Sequence, residues 1–154
     1  MGWTAGHSLV ADHFISDRVI IGGDAAHLFT PTGGLGYNTA VEDAVNLGWK
    51  LAAVLKGQGG RGLIESYEFE RQKVALRNTG YARGFADSVG NFVPEDNLED
   101  NTENGKVLRT AAGEYLVEHA KREFNIPGIT FGARYDGSPV LPKTDEVLPL
   151  DQAN

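Results

Sequence analysis

The sequence predicts an α/β fold, helix-rich and with few strands of its own, on three observations. Val19-Ile20-Ile21 is a β-branched apolar run that suits a strand covered on both faces inside a parallel sheet. Apolar residues then recur at helical spacing through three long stretches after residue 38. Between strand and first helix lies GDAAHLFTPTGGLGYN, Gly23 to Asn38, where an acid follows the strand and a Pro and three glycines precede the helix.

The elements follow in chain order. Trp3 to Phe14 can supply one short strand, and Val19–Ile21 a second. From Asn38 to Lys56, Val41, Ala44, Val45, Gly48, Leu51, Ala52 and Leu55 fall on one helix face, predicting that face inward, with Glu42, Asn46 and Lys50 opposite. Gly57 suits the residue that ends this helix in a left-handed conformation. A second helix is expected over Leu63 to Val89, with Ile64, Tyr67, Val74, Tyr81 and Phe85 inward; Gly80 and Gly84 argue for a break. Gly90 to Gly105 turns polar and acidic around Pro94, as a solvated loop does. A third helix is predicted from Val107 to Phe124 with Leu108, Ala112, Tyr115, Leu116, Ala120 and Phe124 inward. Ile129 to Tyr135 reads as another strand, and the chain beyond is extended and interrupted by Pro139, Pro142 and Pro149. Such thin strand material cannot cover both faces of Val19–Ile21. Part of a larger architecture is therefore expected; the plainer alternative is a three-helix protein with a β appendage.

Composition narrows the partners. The 154 residues carry 14 basic and 21 acidic side chains, a net charge of −7, which argues against nucleic acid or an anionic membrane as partner. There is no cysteine, which rules out disulfides and thiolate chemistry and makes the cytoplasm the expected location. No apolar run reaches the roughly 20 residues of a membrane helix. His7, His13, His27 and His119 lack metal-ligand spacing, and His27 is expected to be structural. Gly57-Gln58-Gly59-Gly60-Arg61-Gly62 matches a dinucleotide-binding pattern literally. It follows a helix instead of a strand, so it reads as a helix–helix connection.

The Gly23–Asn38 stretch has the right context for a ligand. Free N–H groups at a helix start favour an anionic or electron-rich oxygen, and Gly33, Gly34 and Gly36 let a flat molecule approach the backbone. Asp24, at the carboxyl end of the strand, can accept hydrogen bonds from sugar-type hydroxyls. Taken alone, these residues equally describe an ordinary strand-to-helix turn; a phosphate-ligand site at the helix start, Gly33 to Asn38, is a third and weaker alternative.

Three ordered blocks carry a resemblance: Arg18-Val19-Ile20-Ile21-Gly22-Gly23-Asp24-Ala25-Ala26-His27, Pro31-Thr32-Gly33-Gly34-Leu35-Gly36-Tyr37-Asn38 and Glu42-Asp43-Ala44-Val45-Asn46-Leu47-Gly48-Trp49-Lys50-Leu51. Together they resemble the second flavin-binding motif of the FAD-dependent aromatic hydroxylases, single-component flavoprotein monooxygenases. Weaker similarity to the phenol and hydroxyphenylpropionate branch runs through Ser66 to Arg71 and Gly132 to Pro139. The resemblance implies that Asp24 hydrogen-bonds the ribityl chain of FAD and that the Pro31–Gly34 backbone, with Gly33 and Gly34, lines the isoalloxazine. It implies that the amides around Gly36, Tyr37 and Asn38 face the pyrimidine edge of the flavin. In the family NAD(P)H reduces the flavin, and oxygen is then used to hydroxylate a small aromatic substrate.

The family's amino-terminal βαβ unit and middle portion have no counterpart in this sequence, in keeping with the strand deficit. The expectation is therefore the helix-rich carboxyl-terminal portion of an FAD/NAD(P)-binding three-layer fold, from a truncated or split gene or a partial sequence. Its site would need a missing amino-terminal flavoprotein half or a homo-oligomer mate. Residues 1–57 would close the FAD domain, 58–124 pack helices on it, and 125–154 lead out of it. A different class remains as the alternative: a non-catalytic helical interaction module that binds no flavin. Glu70-Arg71 is expected to form surface ion pairs of little weight, and Trp49 to pack in the core.

Overall fold

The computed structural model describes residues 6–143, apart from the side chains of residues 89 and 90. Four two-residue strands form two antiparallel pairs. β1 (Leu9–Val10) pairs with β4 (His27–Leu28), and β2 (Ile15–Ser16) with β3 (Val19–Ile20). Three long helices follow, α1 (Leu35–Leu55), α2 (Arg61–Gly90) and α3 (Glu103–Phe124), then the single turn α4 (Pro127–Thr130).

Val19–Ile20 is thus a hairpin strand and not the buried parallel strand that its composition suggests. The tight reversal at Asp17, which takes a left-handed φ of 53°, returns the chain on Ile15–Ser16, and Val19 stays exposed. Ile129–Tyr135 is likewise no strand. Pro127 at the first helical position fixes φ for a helical turn, and Ile129 turns inward on it. The expected strand over Trp3–Phe14 is represented by β1; its first residues, and Pro149 of the extended tail, lie outside the described residues.

The helices run close to expectation. Gly57 adopts φ 71° after α1, and its N–H bonds to Val54 O, ending the helix as foreseen. Through Gly80 and Gly84 α2 continues unbroken, because Tyr67, Val74, Ala75, Ala82 and Phe85 bury one continuous face. α3 starts four residues earlier than its apolar pattern, where the Thr102 hydroxyl accepts from the Gly105 N–H at 3.1 Å.

Two apolar clusters form the core. Phe14, Ala26, Tyr67 and Ala75 join the hairpin to α2; Leu35, Ala82, Ile126 and Ile129 join the start of α1 to α2 and α4.

α1 is inverted relative to its pattern. The residues it buries are Leu35, Thr39, Asp43, Asn46 and Lys50, whereas Val41, Val45, Leu51 and Leu55 are exposed, Val45 to 65% and Leu55 to 85%. Asn46 and Lys50 therefore lie on the inner face, against α2, and Trp49 is half exposed instead of packed. Polar partners on α2 explain the reversal: a buried amide, ammonium or carboxylate is tolerated when each finds its bond. α3 also shows an uncovered face, with Leu116, Val117 and Phe124 exposed where Leu116 and Phe124 were expected inward. It is held to α2 by Tyr81 Oη donating to Arg122 O at 2.6 Å and by His119 stacked on Phe85 at 4.6 Å.

Candidate flavin-facing turn

The hairpin delivers the chain to a short 3-10 turn, Gly23–Ala25, against which α1 packs. Gly22 leaves room that no other residue would leave. A Cβ there would lie 2.7 Å from the Tyr67 hydroxyl, which donates to Ile21 O at 2.9 Å. Gly23 adopts φ 58°, and a Cβ on it would stand 3.2 Å from the Ala40 Cβ. The two glycines thus carry the backbone close beneath α1 and α2, and Asp24 emerges exposed at the far side. Asp24 lines an open hollow of about 310 Å³ together with Leu9, Val10, His27 and Leu28.

Ten residues later the second half of the stretch forms the start of α1. Gly34 N–H bonds to Pro31 O at 3.3 Å, Gly33 and Gly34 have φ of 83° and 63°, and Leu35 begins the helix. Gly34 supplies no side-chain cap, and the first turn of α1 carries no acid. A helix start in that state presents free N–H groups and a positive dipole end to whatever lies beyond it.

The glycines divide their work. Gly34 is open to its surroundings, with no atom within 4 Å of where a Cβ would be, while Gly33 backs onto Phe85 and Gly36 onto Phe29. Pro31, Tyr37 and Asn38 are exposed, Asn38 donating through Nδ2 to Gly34 O at 3.1 Å. Asp24, Pro31, Gly34, Tyr37 and Asn38 therefore lie on accessible surface, and Gly33 and Gly36 serve packing as well.

Behind the turn is a buried ionic network that sequence reasoning missed. Asp43 Oδ2 accepts from Gly23 N–H at 3.0 Å and from His27 Nε2 at 2.6 Å, and Oδ1 from Arg71 Nε at 2.7 Å. Arg71 also donates to Glu42 Oε2, Thr39 O and Tyr135 Oη. His27 is buried against this carboxylate: an ionised carboxylate only accepts, so Nε2 carries the hydrogen, and Nδ1 meets no partner among the described residues.

A second set joins Lys50 to Glu70 at 2.6 Å. Asn46 and Ser138 add bonds to the same carboxylate, and Ser66 accepts from Lys50. Glu70 and Arg71 are thus buried, contrary to the surface role expected of them; Arg71 is 0% exposed. The spacing Asp43, Asn46, Lys50 marks a polar stripe on one face of α1, but no local signal says that this stripe turns inward toward an acid–base pair on the next helix.

These contacts set the electrostatics. Burial pushes the Asp43 carboxyl up, but hydrogen bonds from His27, Arg71 and Gly23 and the Arg71 charge outweigh it and hold it below its ordinary value. Glu70 is held low in the same sense, burial being outweighed by Lys50, Ser138 and Asn46; so is Glu68, which accepts from the Ile15 and Phe14 N–H groups. Carboxyls with depressed folded-state pKa contribute stability that is complete above their unfolded values and lost as pH falls through the folded ones. Stability should therefore be level near neutrality and decline from about pH 5 downward. Chemical denaturation across that range measures it, and an undiminished midpoint at about pH 3 would contradict these assignments.

Among the described residues no helix is long and apolar enough to cross a membrane, and no cluster of three or more His, Asp or Glu could hold a metal.

A family profile described as an FAD binding domain matches residues 3–81. The chain is 36% identical over 144 residues to the 3-(3-hydroxy-phenyl)propionate/3-hydroxycinnamic acid hydroxylase of Mycolicibacterium smegmatis, covering 88% of this chain and 24% of that protein. Against the phenol 2-monooxygenase of a Pseudomonas species the identity is 34% over 146 residues, covering 85% and 24%. Among solved structures, the rebeccamycin biosynthetic enzyme RebC with reduced flavin matches with a TM-score of 0.74 at 42% identity, over 82% of this chain and 25% of that one. The flavin-dependent monooxygenase PieE in complex with FAD and substrate matches at 0.68 and 31%, over 91% and 28%. The chain spans about a quarter of the length of these curated relatives.

Proposed function

The chain belongs to the FAD binding domain family, and from that membership we propose that it supplies the isoalloxazine and ribityl side of the FAD site in a monooxygenase acting on a small phenol-like aromatic. The observation that carries this reading is the uncapped, acid-free start of α1 beside the open Gly34, with the exposed Asp24 turn packed on the same helix. These residues fit the group. Asp24 would accept from the polyol hydroxyls, the Pro31–Gly34 backbone would lie along the flat ring, and the amides at Gly36, Tyr37 and Asn38 would meet its electron-rich pyrimidine edge. Bound FAD would supply the redox chemistry, drawing on NAD(P)H and oxygen; the chain's own groups bind and orient. The cytoplasm, where NAD(P)H is abundant, is the proposed location, and the absence of cysteine agrees with it.

The same proposal holds that parts of a flavoprotein outside this sequence complete the site. The bare apolar face of α1 and strands only two residues long support this, since such a face is stable in water only at the cost of exposed apolar area. That face would also serve a partner-binding module without flavin, and visible flavin absorbance separates the readings. The chain is mixed with a full-length relative from which the matching segment has been deleted, and FAD is added. A coloured complex is expected, whereas a complex that stays colourless would favour the module.

In that complex Asp24→Ala should weaken FAD binding about tenfold to a hundredfold, the scale of hydrogen bonds to a charged group, and leave the choice of aromatic ring unchanged. Equilibrium titration of FAD measures it, and an unaltered dissociation constant would remove Asp24 from the site.

A further inference from the structure

We infer that Asp43 and Arg71 are positioning residues of this site, a relay that fixes where the Gly23–Asp24 turn presents its carboxylate. The inference rests on the assignment of Asp24 to the FAD polyol. Asp43 is 2% exposed and both of its oxygens are engaged by protein donors, so its part in the site is to hold the turn. Its two oxygens face different elements: Oδ1 is taken by Arg71 of α2, and Oδ2 by the Gly23 N–H, one residue from Asp24, and by His27 of β4.

The other side of the turn is held from the same helix. Tyr67 of α2 donates to Ile21 O, so the carbonyl before Gly22 and the N–H after it are both tied, directly or through Asp43, to residues four apart on one helix face. A glycine pair with φ freedom on its own would leave Asp24 loosely placed. Two bonds across that pair remove the freedom.

This goes beyond holding helices together. α1 and α2 are already joined by Lys50 to Glu70, Asn46 to Glu70 and Asn78 to Thr39, none of which involves the turn. Arg71 in turn is oriented by three further acceptors, Glu42 Oε2 and Thr39 O on α1 and the Tyr135 hydroxyl from the segment after α4. Its planar fork satisfies these acceptors at once, which a lysine ammonium on a flexible stem would not reproduce.

The test uses the labelled full chain, alone for NMR and in the complemented complex for FAD titration. In the unsubstituted protein the Gly23 amide should be exchange-protected, and its resonance should move with a carboxyl that titrates below the ordinary range. In Asp43→Asn the protection of Gly23 should fall at least about tenfold while the Ala75 amide in the core of α2 stays within about twofold, and FAD binding should weaken about tenfold. Asp43→Glu keeps the charge but displaces the carboxylate by one methylene, and should weaken FAD binding also; full FAD affinity in Asp43→Glu would show that charge alone matters and overturn the inference.

Loss of Gly23 protection with FAD affinity unchanged in Asp43→Asn would overturn it as well, provided Asp24→Ala does weaken binding. If Asp24→Ala leaves FAD binding intact, the flavin assignment of Asp24 fails instead, whatever Gly23 does. Should Asp43→Asn not fold, the titration in the unsubstituted protein decides: a Gly23 amide indifferent to pH through that range refutes the relay.

Discussion

Arg71→Met is expected to cost about 3–5 kcal/mol of folding stability, the scale of removing one partner from a buried, hydrogen-bonded charge pair. Arg71 is fully enclosed, and its removal leaves Asp43 inside the protein with His27 and the Gly23 N–H but without its cation. The carboxylate is almost wholly buried, so it must either keep a poorly compensated charge or take up a proton. Thr39 O and the Tyr135 hydroxyl lose their donor at the same time. Arg71→Lys should fall between wild type and Arg71→Met, because charge is kept and the fork is lost. Guanidinium unfolding followed by far-UV circular dichroism gives the number. A loss under about 1 kcal/mol for Arg71→Met would mean that the pair contributes no more than an exposed one.

The second large effect concerns association. Val45→Asp combined with Leu55→Lys should change the stability of the chain alone by no more than about 0.5 kcal/mol, since both side chains already stand in solvent. The same pair should weaken association with the complementing flavoprotein part by at least about a hundredfold, because an unpaired charge would then be buried at the centre of the contact. Sedimentation or titration calorimetry reads the association, and thermal unfolding the stability. Strong destabilisation of the isolated chain would show that the face is already covered. Unchanged association would show that α1 is not the contact.

Much of the candidate site was readable in the residues. Asp24 after an apolar strand, then Gly33-Gly34 ahead of a helix, is a local pattern, and local patterns survive in any surrounding structure. The carboxyl end of α1 was legible for the same reason: Gly57 terminates the helix through its own φ, whichever neighbours it has, whereas its start lies at Leu35, three residues before the expected Asn38.

The inner face of α1 was not legible. Hydrophobic periodicity places a helix axis correctly, and then it assigns the apolar side inward by assuming that the core is apolar. Here Asp43, Asn46 and Lys50 are bonded to Arg71, Glu70 and Ser66 across some 16 to 28 residues of sequence, and nothing local announces such partners. Glu70 and Arg71 looked like surface ions on the same reasoning. Val19–Ile20 failed differently, because burial on two faces was inferred from composition, and the strand's actual neighbour was decided by the turn at Asp17.

By itself the sequence determined where the long helices lie, which glycines bend the backbone and which carboxylate stands at the turn ahead of α1. All of these depend on φ preferences and spacing within a few residues. Tertiary structure alone decided that the polar stripe of α1 is the buried one and its apolar face the bare one, and that Asp43 and Arg71 brace the turn from behind. The reason is that a buried charge is acceptable only when its partners converge on it in space, and convergence between distant segments leaves no periodic trace along the chain.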